Sequence, residues 1–558
     1  MAISVIIGPN AEQASQKTTY ATANRILDIL ERYRLRQRDG TSDRNAEGRK
    51  RFLPIVIKRV EAREPIHMVL PAFPFKSPNN DSKVIGTVPD KGEEIALAHL
   101  NGICNSIKDI YEPGAEITIA SDGIVYNDLL GVSDRDVWIY GQTLRKISEK
   151  FDFTHIHFVR LRDLLGLDLS EPLTEESYVD QAPHFRDKLT EIHTPAGFDF
   201  RHEITNNEDA AATYRGYIRF LSKDLANTKK YETKTSKSAI KKRNEMVARR
   251  MMTRGKAFAA AVQANFGNYV RLSIHPSSGS TKFSISLFPH TSHNMTPWHA
   301  TTVYGLDGSV ATVHLDMLKA SSNHELVCKD GVSWYYRERS TLYNWGNMAV
   351  YFEPLYPTGL IVTPVIGFTV PSLKDVDMEK VHRLAEYNSP VVLRGFADTE
   401  KEVIVSKAGK IGEIRQGEDI NHNSSKLQIF TSSSQDKIAS LFSSSRQLFE
   451  HLPDPLNVET LSNSTFSTHS DHSDWAYLIA PHPTLGTPCL RYQKTRYNTT
   501  AFQIDNNDQS ILDVIDTLMY DRRVCYEHTW EAGDIVISDP VSTVYTHQGT
   551  PIDCINVD

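Results

Sequence analysis

The stretch YEPGAEITIASDGIVYNDLLGVSDRDVWIY, residues 111–140, compresses a strand, a tight turn and the start of a helix into thirty positions. EITIAS reads as the strand. Ser121-Asp122-Gly123 is a turn that can present one carboxylate, with Asp128 a few residues further on. DVWIYGQTLRKISEKF (136–151) has helical spacing. Working outward, the strand PIHMVL (65–70) leads to the helix GEEIALAHLNGICNSIKDIY (92–111), and the strand THIHFVRL (154–161) follows the central stretch. Strands that alternate with helices predict a parallel sheet with covering helices, a Rossmann-like open α/β fold. Such sheets hold their ligands just beyond the strand ends. Polar clusters stand there: PAFPFKSPNNDSKVIGTVPDKGEE, with Lys76, Lys83, Asp90 and Glu94, and then SDGIVYNDLLGVSD.

The whole chain has 558 residues, 40% apolar and 23% charged, with a net charge of -7. That length predicts two or more domains, and the composition predicts a globular protein rather than a disordered or membrane one. The mild charge gives no general attraction to nucleic acid. No apolar run reaches membrane-spanning length, and the opening MAISVIIGPN does not read as a signal peptide. Cys104, Cys328, Cys489, Cys525 and Cys554 are scattered without a CxxC pair, as expected of reduced thiols in a cytoplasmic enzyme.

Elsewhere, residues 21–38 predict a helix with Ile26, Ile29, Leu30 and Tyr33 on one stripe, followed by a charged loop, RDGTSDRNAEGRKR. Residues 221–256 are basic and helical, a solvated face in the first instance or, alternatively, a help with an anionic substrate. NYVRLSIHP-SSGST-KFSISLFP predicts a hairpin. Val270, Leu272, Ile274, Phe283, Ile285 and Leu287 take one side, and Arg271, Ser273, His275, Lys282, Ser284 and Ser286 the other. Arg, His and Lys beside a Gly/Ser turn suit a wet outer face or a phosphate. From about residue 350 the chain turns to strands and Ser-rich loops.

LPAFPFKSPN, KVIGTVPDKGEE, the 111–140 stretch, YVRLSIHPSS and TPWHATTVY together resemble the isocyanide (isonitrile) synthase family of the pyoverdine/dityrosine biosynthesis type, in the family's order over roughly residues 20–315. The resemblance implies condensation of an L-amino acid's amine with the ketone of ribulose 5-phosphate, whose breakdown leaves one carbon as the isocyanide, without a cofactor. Such chemistry needs cations for phosphate and carboxylate, proton carriers, and walls that exclude water. Within the matching motifs, Lys76, Lys83, Arg271 and Lys282 are the candidate anion contacts, with Ser273 beside them. Asp122, Asp128, His275 and His299 are the proton carriers, and Trp298 is a wall.

Further on, NSPVVLRGF (388–396) and GDIVISDPVSTVYTHQG (533–549) resemble the taurine-dioxygenase-like iron(II)/2-oxoglutarate oxygenases, whose fold is a double-stranded β-helix, or jelly roll. Between them FSTHSDHSDW (466–475) holds two His-x-Asp triplets of opposite strand parity, so that one at most can serve a single iron. The family pattern places its aromatic residue at Trp475. This favours His469 and Asp471, with His547, as the metal ligands, and leaves His472 and Asp474 outside that set. Residues 548–558 lack the arginine expected to grip 2-oxoglutarate, so Arg491 or Arg496 substitutes, or co-substrate binding is weakened, or the domain is shortened and inactive.

The expectation is therefore an isocyanide synthase domain at 20–345 and an oxygenase domain at 350–558 that desaturates or decarboxylates the product. In a fused chain the intermediate meets the second site at high effective concentration. Two alternatives are a synthase with an inactive second domain and a non-catalytic small-molecule or metal-binding protein. A nucleotide-dependent dehydrogenase is disfavoured, because no GxGxxG follows the strands.

Overall fold

A computed structural model describes residues 9–35, 45–167, 173–225, 236–275, 279, 281–289, 295–415, 425–432, 439–467, 475–492, 503–504, 509–547 and 553–558. The chain divides into two compact units. The first comprises residues 1–288, 292–303 and 311–336; the second comprises 289–291, 304–310 and 337–558. Parallel and mixed sheets, helices and long connections make it a mixed α/β protein. Among the described residues no helix is long and apolar enough to cross a membrane.

The first unit is built on a parallel sheet of β1 (Ile66–Pro71), β2 (Ala115–Ala120), β3 (Ile156–Val159), β4 (Val270–Ser273) and β5 (Phe283–Ser284), in the order β3-β2-β1-β4-β5. β1 is buried along nearly its whole length, as a strand covered on both faces must be. The first three strands step outward in sequence, then the chain returns to place β4 on the other side of β1. The order therefore reverses between β1 and β4, and the crevice beyond their carboxyl ends is where an open sheet accepts a ligand.

Ten α-helices of this unit precede β4 among the described residues. They are α1 (Pro9–Arg32), α2 (Asn45–Ala62), α3 (Lys91–Lys108), α4 (Gly123–Leu130), α5 (Asp134–Lys150), α6 (Leu161–Leu164), α7 (Glu175–His193), α8 (Phe200–Asn206), α9 (Glu208–Asp224) and α10 (Lys237–Phe266). Helix α3 starts on a capping box, in which Asp90 accepts from the backbone of its first turn while Glu93 accepts from the Asp90 N–H. The predicted strands and long helices occur at their expected places. The basic stretch is also helical, but Val247, Met251, Phe258 and Val262 of α10 are core residues, so one face is packed.

Two local readings are corrected. The loop predicted at 38–51 gives way to α2 from Asn45 onward, because Phe52 and Val56 bury one side of that charged helix. The predicted hairpin does not form: β4 and β5 pair in parallel, Leu272 beside Phe283. The alternation was right, since Val270, Leu272, Phe283, Ile285 and Leu287 are buried. Periodicity records which side chains go inside and is blind to strand direction.

The tight turn at Ser121-Asp122-Gly123 is the N-terminal end of α4. A methyl group on Gly123 would stand 2.2 Å from the Pro74 carbonyl oxygen, a backbone atom of the loop after β1. That approach locks the loop against the helix. Gly123→Ala should therefore cost about 1–3 kcal/mol of overpacking, read as a lower denaturant midpoint in urea.

In the second unit a seven-stranded mixed sheet runs, in spatial order, through Val350–Pro354, Leu360–Pro364, Val391–Leu393, Ile535–Ser538, Leu427–Thr431, Asp553–Val557 and Ile414–Arg415. A three-stranded antiparallel sheet is formed by Cys525–Thr529, Ala439–Ser444 and Thr543–His547. Val392, Phe430 and Val536 of the larger sheet pack with Phe442 and Tyr545 of the smaller and with Trp530, which follows the strand Cys525–Thr529, so the two enclose an apolar layer. The Arg-Gly-Phe and Gly-Asp-Ile stretches meet here. Arg394 donates from Nε and Nη2 to the two oxygens of Asp534, at 2.8 and 2.6 Å. His528 stands 3.2 Å from the same carboxylate.

Candidate active site

Three strand ends converge above the sheet: Phe73–Ser77 after β1, Ser121–Asp122 after β2 and Ser273–His275 after β4. A turn of 3-10 helix, Pro297–His299, joins them, for Ser77 N–H donates to the Trp298 carbonyl at 2.8 Å. Trp298 is buried with its ring 5.1 Å from that of Phe73.

Lys76 is fully buried. Its ammonium contacts Asp90 Oδ2 at 2.7 Å, Glu93 Oε2 at 2.7 Å and the Pro297 carbonyl at 2.9 Å. An ammonium has three hydrogens, and all three are used. Burial opposes its charge, but the two carboxylates outweigh that and hold its proton in place. Glu93, which also accepts from Tyr140 Oη at 3.0 Å, is pushed up by burial to about 7, with Lys76 opposing. Lys83 contacts Asp224 Oδ2 at 2.6 Å, and Asp224 also takes the Ser77 hydroxyl. Both lysines are thus engaged with carboxylates rather than held open for an anion, which differs from their expected role. Glu94 pairs with Lys91.

Asp128 also differs. It lies on α4, where Arg254 grips it through both oxygens at 2.6 and 3.1 Å. Burial would raise its carboxyl, but the Arg254 bonds and charge hold it below the usual carboxylate range. Ser273 is occupied locally: its Oγ accepts from the His275 N–H at 3.1 Å.

Asp122 and Arg271 are left differently. One carboxyl oxygen of Asp122 and Nη1 of Arg271 are buried without a hydrogen-bond partner among the described residues. The two groups lie within electrostatic reach of each other and of Tyr126. Burial lifts the Asp122 carboxyl to about 6, against the pull of Arg271, and lowers the Arg271 guanidinium to about 10. Lys282 has no ion pair among the described residues; burial lowers its ammonium, the Asp209 carboxylate opposes that and the Arg271 charge adds to it. His275, at the end of β4, is within electrostatic reach of Lys282 and of His299.

A row of rings runs along one side. Tyr126 and Tyr217 share a hydrogen bond between their hydroxyls, with ring centres 6.5 Å apart. Tyr217 meets Phe220 at 5.7 Å, and Phe220 meets the His299 ring at 5.2 Å. The structure thus brings Asp122, Arg271, Lys282, His275, His299 and Trp298 into one neighbourhood. Sequence reasoning missed Glu93, Tyr126, Tyr217 and Asp224. Only Glu93 carried a readable signal, three residues after the helix-capping Asp90.

The family profile for pyoverdine/dityrosine biosynthesis proteins matches residues 56–327. Isocyanide synthase xanB of Aspergillus fumigatus is 38% identical, across 96% of this chain and 79% of its own length. The chain belongs to the isocyanide synthase family. The L-tyrosine isonitrile synthase of Pseudomonas aeruginosa is 34% identical over 51% of this chain and 83% of its own. The crystal structure of the PvcA protein from Pseudomonas aeruginosa superposes with a TM-score of 0.50 at 31% identity, covering 57% of this chain and 100% of that one.

Of the candidate metal ligands, His469 and Asp471 lie outside the described residues. His547 ends the strand Thr543–His547, where its backbone is in register with Ser440. Arg496 also lies outside the described residues.

In this isocyanide synthase the Lys76 cluster ties the α3 cap, the β1 loop and the Pro297–His299 turn together. Replacing Lys76 by Met strands two buried carboxylates. The expected loss is about 3–5 kcal/mol, measured by urea unfolding, and Lys76→Met with Glu93→Gln should recover part of it.

Proposed function

We propose that the first unit converts the amino group of an L-amino acid to an isocyanide with ribulose 5-phosphate as carbon donor. The observation that carries this reading is the buried Arg271 Nη1 within electrostatic reach of Asp122, with that nitrogen and one Asp122 oxygen both lacking a hydrogen-bond partner among the described residues. A guanidinium in that state has binding capacity to spare, and a planar carboxylate matches its fork. Lys282, a compact charge without an ion pair among the described residues, suits the phosphate. An amine attacks a ketone only after losing its ammonium proton. Asp122, with its carboxyl lifted to about 6, is the group proposed to receive it. His299 and His275 are the further proton carriers, and Trp298 helps keep water out. The names of the relatives support an amino acid as substrate.

For the second unit we propose a jelly-roll oxygenase that desaturates or decarboxylates the isocyanide product, with His469, Asp471 and His547 as iron(II) ligands. Its two facing sheets, and the Arg394–Asp534 junction of its motifs, support that reading. Iron(II) with 2-oxoglutarate would supply the oxidising chemistry.

Purified protein incubated with ribulose 5-phosphate and a mixture of amino acids should give a product with an isocyanide infrared band and a matching mass. No such product from any amino acid would refute the synthase assignment. Arg271→Gln should raise KM for the amino acid roughly 30- to 150-fold, the equivalent of about 2–3 kcal/mol for a charge-assisted bond. Asp122→Asn should lower kcat/KM by about 10²–10⁴-fold and abolish the limb of the pH profile near 6, below which the protonated carboxyl cannot act as base. Iron(II) titration should saturate at one equivalent and fail in His547→Ala; unchanged iron binding in that variant would remove His547 from the ligand set.

A further inference from the structure

Helix α10 carries a glycine where helix formation gains nothing from it. Gly255 lies well inside a 30-residue helix and outside the left-handed region, so its backbone does not require glycine. Inside a helix glycine is less stable than alanine. What Gly255 leaves room for is a hydroxyl. A methyl group there would stand 2.8 Å from Tyr126 Oη and 3.9 Å from Tyr217 Oη, but 3.8 Å, an ordinary contact, from the Tyr126 ring carbon Cζ. The room is thus needed for the Tyr126 oxygen and not for its ring. Arg254, the neighbouring residue, holds α10 at this height by donating to the Val125 carbonyl at 3.0 Å and to Asp128. Tyr126 and Tyr217 bond to each other through their hydroxyls. Two hydroxyls hold two hydrogens, and the shared bond uses one. Neither forms another hydrogen bond among the described residues, so one O–H is unspent. Both rings lie within electrostatic reach of Asp122, and Tyr126 also of Arg271. Those are the two groups of the crevice that each keep a buried polar atom without a hydrogen-bond partner among the described residues.

From this arrangement we infer that the Tyr126–Tyr217 pair donates a hydrogen bond to the ketone oxygen of the sugar phosphate while the amine adds to it. The inference rests on the amine–ketone condensation proposed above. An amine that gives its proton to Asp122 has to meet the ketone beside Asp122, and this brings the carbonyl oxygen to the pair. As the C–N bond forms, the carbonyl π electrons move to that oxygen, where a preorganised O–H stabilises the charge. The oxygen then takes the proton that Asp122 received from the ammonium, which leaves Asp122 ionised and the nitrogen cationic. Burial raises both phenols above their usual range, so they keep their hydrogens and act as donors rather than as acids.

The test is steady-state kinetics of the full-length protein with Tyr126→Phe, Tyr217→Phe and the double variant, which keeps both rings and strands no hydroxyl. Loss of the donor should lower kcat of the double variant about 10²–10³-fold and change KM for ribulose 5-phosphate by less than about threefold. A double variant with parental kcat, or with a raised KM alone, would overturn the inference. Gly255→Ala/Tyr126→Phe separates donation from packing, because its added methyl fills the place of the lost hydroxyl. It should have a Tm at or above that of Tyr126→Phe and a kcat no higher. Parental kcat in that variant would show that the ring alone suffices, and would overturn the inference as well. A parental protein that makes no isocyanide removes the condensation and the inference with it, whereas an active parent with equally active Phe variants removes the inference alone.

Discussion

A buried ammonium must find three acceptors or be expelled, and the place where Lys76 finds them sets the geometry of the first unit. Its partners are a helix-capping aspartate, the glutamate of the same capping box, and a carbonyl 221 positions away in sequence. None of these can shift without leaving a charge unpaired in the interior, which costs several kcal/mol. The loop after β1, the start of α3 and the Pro297–His299 turn therefore behave as one piece. Trp298 and His299, which belong to that turn, take their positions from a lysine whose three hydrogens are already engaged.

This separates the cations of the site into two kinds. Lys76 and Lys83 are each paired with carboxylates, so they fix loops. Arg271 and Lys282 are buried or half-buried without such partners among the described residues, so they retain their attraction for anions. The carboxylates divide in the same way. Asp128 and Asp224 are stabilised as anions by Arg254 and Lys83, whereas burial lifts Asp122 to about 6 and leaves it able to carry a proton. Residue type alone treats these groups as equivalent; partner and burial distinguish them.

The second unit repeats the theme with other residues. Two stretches that the sequence marks, Arg-Gly-Phe and Gly-Asp-Ile, meet at one end of two adjacent antiparallel strands, Leu393 opposite Ile535, and Arg394 grips Asp534 with a two-pronged contact. The arginine of that motif has a structural partner, and His528 is drawn to the same carboxylate.

The sequence by itself determined the strands and long helices of the first unit, the inward faces of β4 and β5, and the loops that surround the crevice. Those features follow from periodicity and turn chemistry, which are local. It also brought Asp122, Arg271, Lys282, His299 and Trp298 onto the candidate list by the motifs that contain them. Tertiary structure alone decided that β4 and β5 run parallel, that residues 45–51 continue a helix, and that Lys76, Lys83 and Asp128 are bound to counter-charges. It alone brought Asp224, in an otherwise basic stretch, against His299. The reason is the same each time: strand direction, ion pairing and desolvation depend on groups tens to hundreds of residues apart, and no local pattern records which of them will meet.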